Sequence, residues 1–128
     1  MRKISLLITL LVIVQTSCQE EIPQVLKIRI ETLSAAYVRA SSATLRGEII
    51  DFGKGIIDHG HCWAEHSNPV PGDFSSSFGP VTDENKFITE LDKLEADKTY
   101  YFRAWAEGDD GIIYGEVLSF TTSDGIIR

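Results

Sequence analysis

Asp58, His59, His61 and His66 fall within nine positions of one another, and imidazole nitrogens and carboxylate oxygens are standard ligands for divalent cations. On an extended chain Asp58 and His59 point to opposite faces, so only His59 and His61 share a side. Two ligands on a flat strand make a weak site, and the spacing matches no metal motif, so no metal and no other cofactor is expected. Asp109 and Asp110 stand between Gly108 and Gly111. A solvated turn needing positive φ accounts for these residues better than calcium does. Ser75, Ser76 and Ser77 lie in no nucleophile elbow, and no pair of carboxylates suggests glycoside hydrolysis. The reading is therefore of a chain that is not an enzyme.

The elements that would position these residues are strands. From Val25 to Leu33 the apolar residues Leu26, Ile28 and Ile30 alternate with Lys27, Arg29 and Glu31. Ala43 to Ile50 repeats the pattern, with Leu45 and Ile49 on one side. Period-two alternation marks half-buried strands. Ile56 to Glu65 reads as a third strand, ended by Ser67, Asn68, Pro69 and Pro71, and a loop rich in Ser, Gly and Pro runs on to about Pro80. Lys86 to Leu91, Thr99 to Glu107 and Ile112 to Thr121 complete the set, the last two joined by a hairpin turn over 108–111. Six or seven short strands in one domain favour an all-β sandwich.

The N-terminus has a different composition. Arg2 and Lys3 precede an apolar run from Ile4 to Val14, which is about half the ~20 residues that a membrane-spanning helix needs. This is the pattern of a secretory signal peptide. Thr16 and Ser17 lead to Cys18, and the segment resembles a bacterial lipobox, with Gln15 where the pattern usually has an aliphatic residue. The resemblance implies a signal peptide over 1–17, lipidation of Cys18 and a short tether over 18–24 containing Pro23. Gln19, Glu20 and Glu21 are similar to the acidic stretch that follows the cysteine in surface-exposed lipoproteins of the Bacteroides and Flavobacterium group. Cleavage leaves 111 of 128 residues, enough for one core, and loss of Arg2 and Lys3 takes the formal net charge from −7 to −9. Such a charge repels nucleic acid and anionic membrane surfaces. Cys18 and Cys62 are the only cysteines, so lipidation of the first leaves Cys62 as a free thiol, expected to be buried like a small hydrophobe.

Leu94 precedes Tyr100 by six residues, and the chain continues Tyr101, Phe102, Arg103, Ala104, Trp105, Ala106. This segment resembles the corner and sixth strand of a fibronectin type III domain. Ala43, Thr44, Leu45 and Gly47, then Gly60 to Trp63, Asn68 to Pro69, Tyr114, Gly115 and Phe120 to Thr122 are similar in order, over about Val25 to Thr122. The resemblance implies an immunoglobulin-like sandwich of about seven strands over 25–122, with a C-terminal tail over 123–128. It gives Leu94 and Tyr100 the role of a structural corner, in which the Tyr hydroxyl bonds back to the chain.

The resemblance also implies that the third and fifth strands lie side by side. Tyr100, Phe102, Ala104 and Ala106 then face the core, and Tyr101, Arg103 and Trp105 face away from it, with a loop-covered Trp105 as the alternative. If His61 and Trp63 share that outer side, the five residues form a face on which rings flanked by Arg stack on sugars or anchor a protein. Gly60, Cys62 and Ala64 would then face the core. Their small volumes leave the opposite parity open, with Trp63 inward. The expectation is a non-enzymatic, lipid-anchored outer-membrane protein, exposed at the cell surface and carrying one binding or adhesion module for a glycan or protein ligand. A structural spacer or an accessory to a surface enzyme system is the alternative, because this fold hosts many functions.

Overall fold

The alternation of apolar and polar residues is resolved into eight strands in the computed structural model, which describes residues 26–81 and 83–126. Cys18, with the expected signal peptide and tether, lies outside the described residues. The strands are β1 (Ile28–Ala36), β2 (Ala43–Phe52), β3 (Asp58–Ala64), β4 (Phe74–Ser75), β5 (Lys86–Leu91), β6 (Thr99–Gly108), β7 (Gly111–Tyr114) and β8 (Leu118–Thr121). One antiparallel sheet has the order β1-β2-β5. The other has the order β4-β3-β6-β7, with β8 also paired to β6. This is the all-β, fibronectin type III-like sandwich expected. Three details differ from the expected strand pattern: β1 begins and ends three residues later than Val25 to Leu33, the last run is split into β7 and β8, and the loop before residue 80 contains the two-residue β4.

The core lies between the sheets in two lobes. Ala43, Leu45, Leu91, Tyr100, Phe102 and Phe120 form one, and Ile30, Ile49, Ile56, Ala104 and Ala106 form the other. Ala104 and Ala106 contribute little volume, so the second lobe is filled mainly from the opposite sheet by Ile30 and Ile49. Leu94 packs at the edge of the first lobe. Beside it the Tyr100 hydroxyl accepts a hydrogen bond from the Glu95 N–H at 3.0 Å, and the Thr122 hydroxyl donates to the Glu95 carbonyl at 2.7 Å. These bonds close the corner between β5 and β6, where Lys93 and Asp97 take left-handed φ values of 56° and 54°.

The split in the last strand has a local cause. Gly115 N–H still donates to the Ala104 carbonyl at 2.9 Å, but β7 then leaves β6 until Leu118. The Ala104 N–H, buried at this gap, donates to Thr32 Oγ1 of β1 at 3.0 Å. A Cβ on Gly115 would sit 2.5 Å from that same oxygen, so glycine is what lets β1 approach the gap. The chain enters the sandwich at the end where Ile28 meets Gly108. It reaches the opposite end where Thr121 pairs with Thr99.

Thr32→Val keeps the shape of the side chain and removes the acceptor, leaving a buried N–H unpaired. The expected loss is about 1–3 kcal/mol in denaturant unfolding, and Thr32→Ser should recover most of it; equal stability of the Val and Ser variants would contradict the assignment.

Candidate functional site

The register of β3 on β6 decides which candidate residues share a surface. His61 pairs with Ala104 and Trp63 with Phe102, whereas Gly60 pairs with Trp105 and Cys62 with Arg103. Directly opposed residues lie on one face of a sheet. β3 therefore turns His61 and Trp63 towards the core and Gly60, Cys62 and Ala64 outwards, which corrects the parity that would have placed His61 and Trp63 beside Tyr101, Arg103 and Trp105. The physical reason is a cover over the outer face. Residues 65–73 fold back so that Pro69 is fully buried, and its carbonyl accepts from Cys62 Sγ at 3.5 Å. Small residues are needed beneath that cover. Larger ones fill the interior.

Cys62 is buried and free, though beneath this loop rather than in the core. Burial pushes its thiol pKa up, with Arg103 acting in the opposite direction. The loop is braced by Asp73, whose carboxylate accepts from Val70 N–H at 3.0 Å and pairs with His66 at 3.1 Å. Further along, residues 76–79 run beside β3 as a strap. Ser76 and Phe78 N–H groups donate to the carbonyls of His61 and His59. Any Cβ on Gly60 would collide with the Ser76 carbonyl, so the strap depends on that glycine. Asp58 holds the strap by accepting from the Ser77 hydroxyl and the Gly79 N–H. Burial works to raise the Asp58 pKa, but these bonds together with one from His59 N–H hold it below the ordinary range.

On the outer face, Trp105 lies between Gly60 and Tyr114 and is only 4% exposed, so it is a packing residue and not a displayed ring. Tyr101 and Arg103 are half-buried. The Arg103 Nε donates to the Pro69 carbonyl at 2.8 Å, and its guanidinium carbon stands 3.7 Å from the centre of the Tyr114 ring. Tyr114 was not among the expected face residues. It is added by the β6–β7 register, which places it opposite Trp105.

On the inner face, His61 is fully buried between the lobes, with its ring 5.0 Å from Phe87 and 6.3 Å from Phe102. Its Nδ1 bonds to Thr89 Oγ1 at 2.8 Å, and that hydroxyl meets Ser76 Oγ at 2.7 Å. Burial lowers its pKa to about 4, against the smaller opposing effect of the Arg46 carbonyl. His59 Nδ1 is engaged with the Gly79 carbonyl at 2.8 Å. Among the described residues no three His, Cys, Asp or Glu side chains come together to hold a metal. Trp63 is half-buried, and Phe74 of the edge strand β4, paired with it in register, stacks on it at 6.3 Å between ring centres with the ring planes 16° apart. Phe74 is 67% exposed. The sequence offered no sign of this residue's role, because it stands in a Ser- and Gly-rich loop without alternation.

No family model matches the chain, and no curated protein matches it. Solved structures do. The sensor domain of the anti-sigma factor RsgI4 from Pseudobacteroides cellulosolvens, in its short form, is 20% identical with a TM-score of 0.59, over 78% of this chain and 98% of that one. The solution structure of the same sensor domain gives 19% identity and a TM-score of 0.61, over 76% of each chain. A fibronectin type III domain of human fibronectin type III domain containing protein 3 is 16% identical with a TM-score of 0.51, covering 81% of this chain and 92% of that one. The likeness is one of fold.

Two variants test the assignments. Trp105→Ala should cost about 3–5 kcal/mol of stability, as deletion of a buried aromatic does; a near-neutral result would return this Trp to the displayed surface. The folded His61 binds its proton less readily than the unfolded one, so its contribution is complete above pH 6.5 and is lost as pH falls towards 4. Stability should drop by up to roughly 3 kcal/mol across that window, and His61→Gln should flatten the drop in parallel chemical unfolding series.

Proposed function

We propose that the chain is a non-enzymatic binding module, lipid-anchored through Cys18 at the outer membrane and facing the cell exterior. The Trp63–Phe74 pair carries this reading. A phenylalanine on an edge strand that is two-thirds exposed and stacked on a tryptophan gains little from its own fold. An exposed aromatic pair of this kind marks contact with a ligand or partner. Nearly coplanar rings suit the apolar face of a sugar or a hydrophobic anchor of a protein. The fold shared with a domain described as a sensor supports a binding role. The lipobox resemblance before Cys18 supports the anchor, and the acidic residues after it support export to the surface.

The test uses the full chain in detergent, screened on a glycan array and by capture from an outer-membrane extract. Phe74→Ser should leave stability within about 0.5 kcal/mol and weaken binding at least tenfold. Retained binding, or none by the parent on either screen, would refute the reading and leave a spacer. Cys18→Ala should shift the protein from the detergent-rich to the aqueous phase, and unchanged partition would refute lipidation.

A further inference from the structure

The outer face of β6 holds a second arrangement, separate from the Trp63–Phe74 pair. An open hollow of about 600 Å³ is lined by Ser34, Ser67, Tyr101, Val117, Leu118 and Ser119. Its volume falls among those of small-ligand sites. Val117 and Leu118 lie where the last strand rejoins β6 after its gap, and Ser119 pairs with Tyr101. The side chains of Ser67 and Ser119 make no hydrogen bond among the described residues and are exposed. Hydroxyl groups thus stand around a half-buried aromatic ring.

Arg103 is two residues from Tyr101 on the same face, about 7 Å along the strand. The chain carries 19 acidic against 12 Lys and Arg residues, yet Arg103 forms no ion pair among the described residues. Its guanidinium is nevertheless held in place, from one side by the Pro69 carbonyl and from another by the Tyr114 ring. A fixed, half-buried guanidinium without a counter-charge is prepared for an anion, and its planar fork fits a carboxylate. Fixing it in advance lowers the entropy lost on binding.

The geometry points to a site for a carboxylate-bearing sugar, with the sugar ring over Tyr101, its hydroxyls on Ser67 and Ser119, and its carboxylate on Arg103. This rests on the binding-module reading only in taking the chain to have a ligand. An acidic peptide fits less well. β6, the strand that carries Tyr101 and Arg103, is paired on both sides, by β3 and by β7 and β8, so it offers no backbone edge of its own to an added strand. Recognition by its side chains comes from a ring and one cation, with the serine hydroxyls beside them, which a cyclic polyol with a carboxylate matches.

The test is titration calorimetry of the full chain in detergent with trigalacturonate, its methyl ester, sialyllactose and a polyglutamate peptide. One of the two acidic sugars should bind, its neutral or peptide counterpart at least tenfold more weakly, and raised salt should weaken the binding. Arg103→Gln and Tyr101→Ala should each reduce affinity at least tenfold. Because Arg103 also braces Pro69, its variant is read with a thermal melt, and Ser67→Val, at an exposed position, provides an independent loss of about threefold or more. Equal binding of the methyl ester, stronger binding of the peptide, or no binding of either acidic sugar would overturn the assignment. So would loss of the sugar in Phe74→Ser with retention in Arg103→Gln and Ser67→Val, an outcome that would leave the edge-pair reading standing.

Discussion

The hydrogen bond from Ala104 N–H to Thr32 Oγ1 is the constraint around which the second sheet is arranged. A buried strand must pair its backbone groups on both sides, and an unpaired N–H in the interior costs about as much as a lost hydrogen bond. β6 loses its neighbour where the last strand breaks, and a side chain from the other sheet takes its place. The two sheets are thus joined by a polar bond as well as by apolar packing. The break also separates Tyr114, which carries Arg103, from Leu118 and Ser119, which border the hollow over Tyr101. One local exchange of backbone for side-chain pairing shapes most of the outer face.

Period-two alternation made the β-sandwich legible, and it also identified the buried side of β1 and β2, where apolar residues stand mainly on one side and charged ones on the other. On β6 large rings stand on both sides, and the corner role of Tyr100 identified the inward one. β3 has no such contrast. Gly60, Cys62 and Ala64 are small, and His61 and Trp63 carry polar atoms, so the sequence pattern alone could be read with either face inward. The answer depended on Pro69 and the Ser76 carbonyl, parts of a loop whose path over the sheet has no periodic signature. Phe74 was hidden for the same reason. Tyr114 became part of the candidate surface only through its register on β6, which depends on a hairpin length and not on composition.

His61 shows how a polar residue can serve a core. Its ring lies between Phe102 of one lobe and Phe87 beside the other, while its Nδ1 bonds to the Thr89 hydroxyl, which in turn meets that of Ser76. The chain of hydroxyls leads from the interior to the strap along β3. Core packing and loop placement therefore share one neutral imidazole, and Asp58 fixes the far end of the same strap.

The entry of β1 at one end of the sandwich and the exit of β8 at the other has a mechanical meaning. Tension applied between those ends acts along the strands and not across them. The ladder of β1 on β2 is then loaded in shear, with its hydrogen bonds bearing the force together instead of being unzipped one at a time. The Thr32 bond ties β1 to β6 of the other sheet, so sliding β1 out requires breaking it as well. A domain arranged in this way resists stretching between its ends and yields more readily to a pull that peels β4 from the sheet edge.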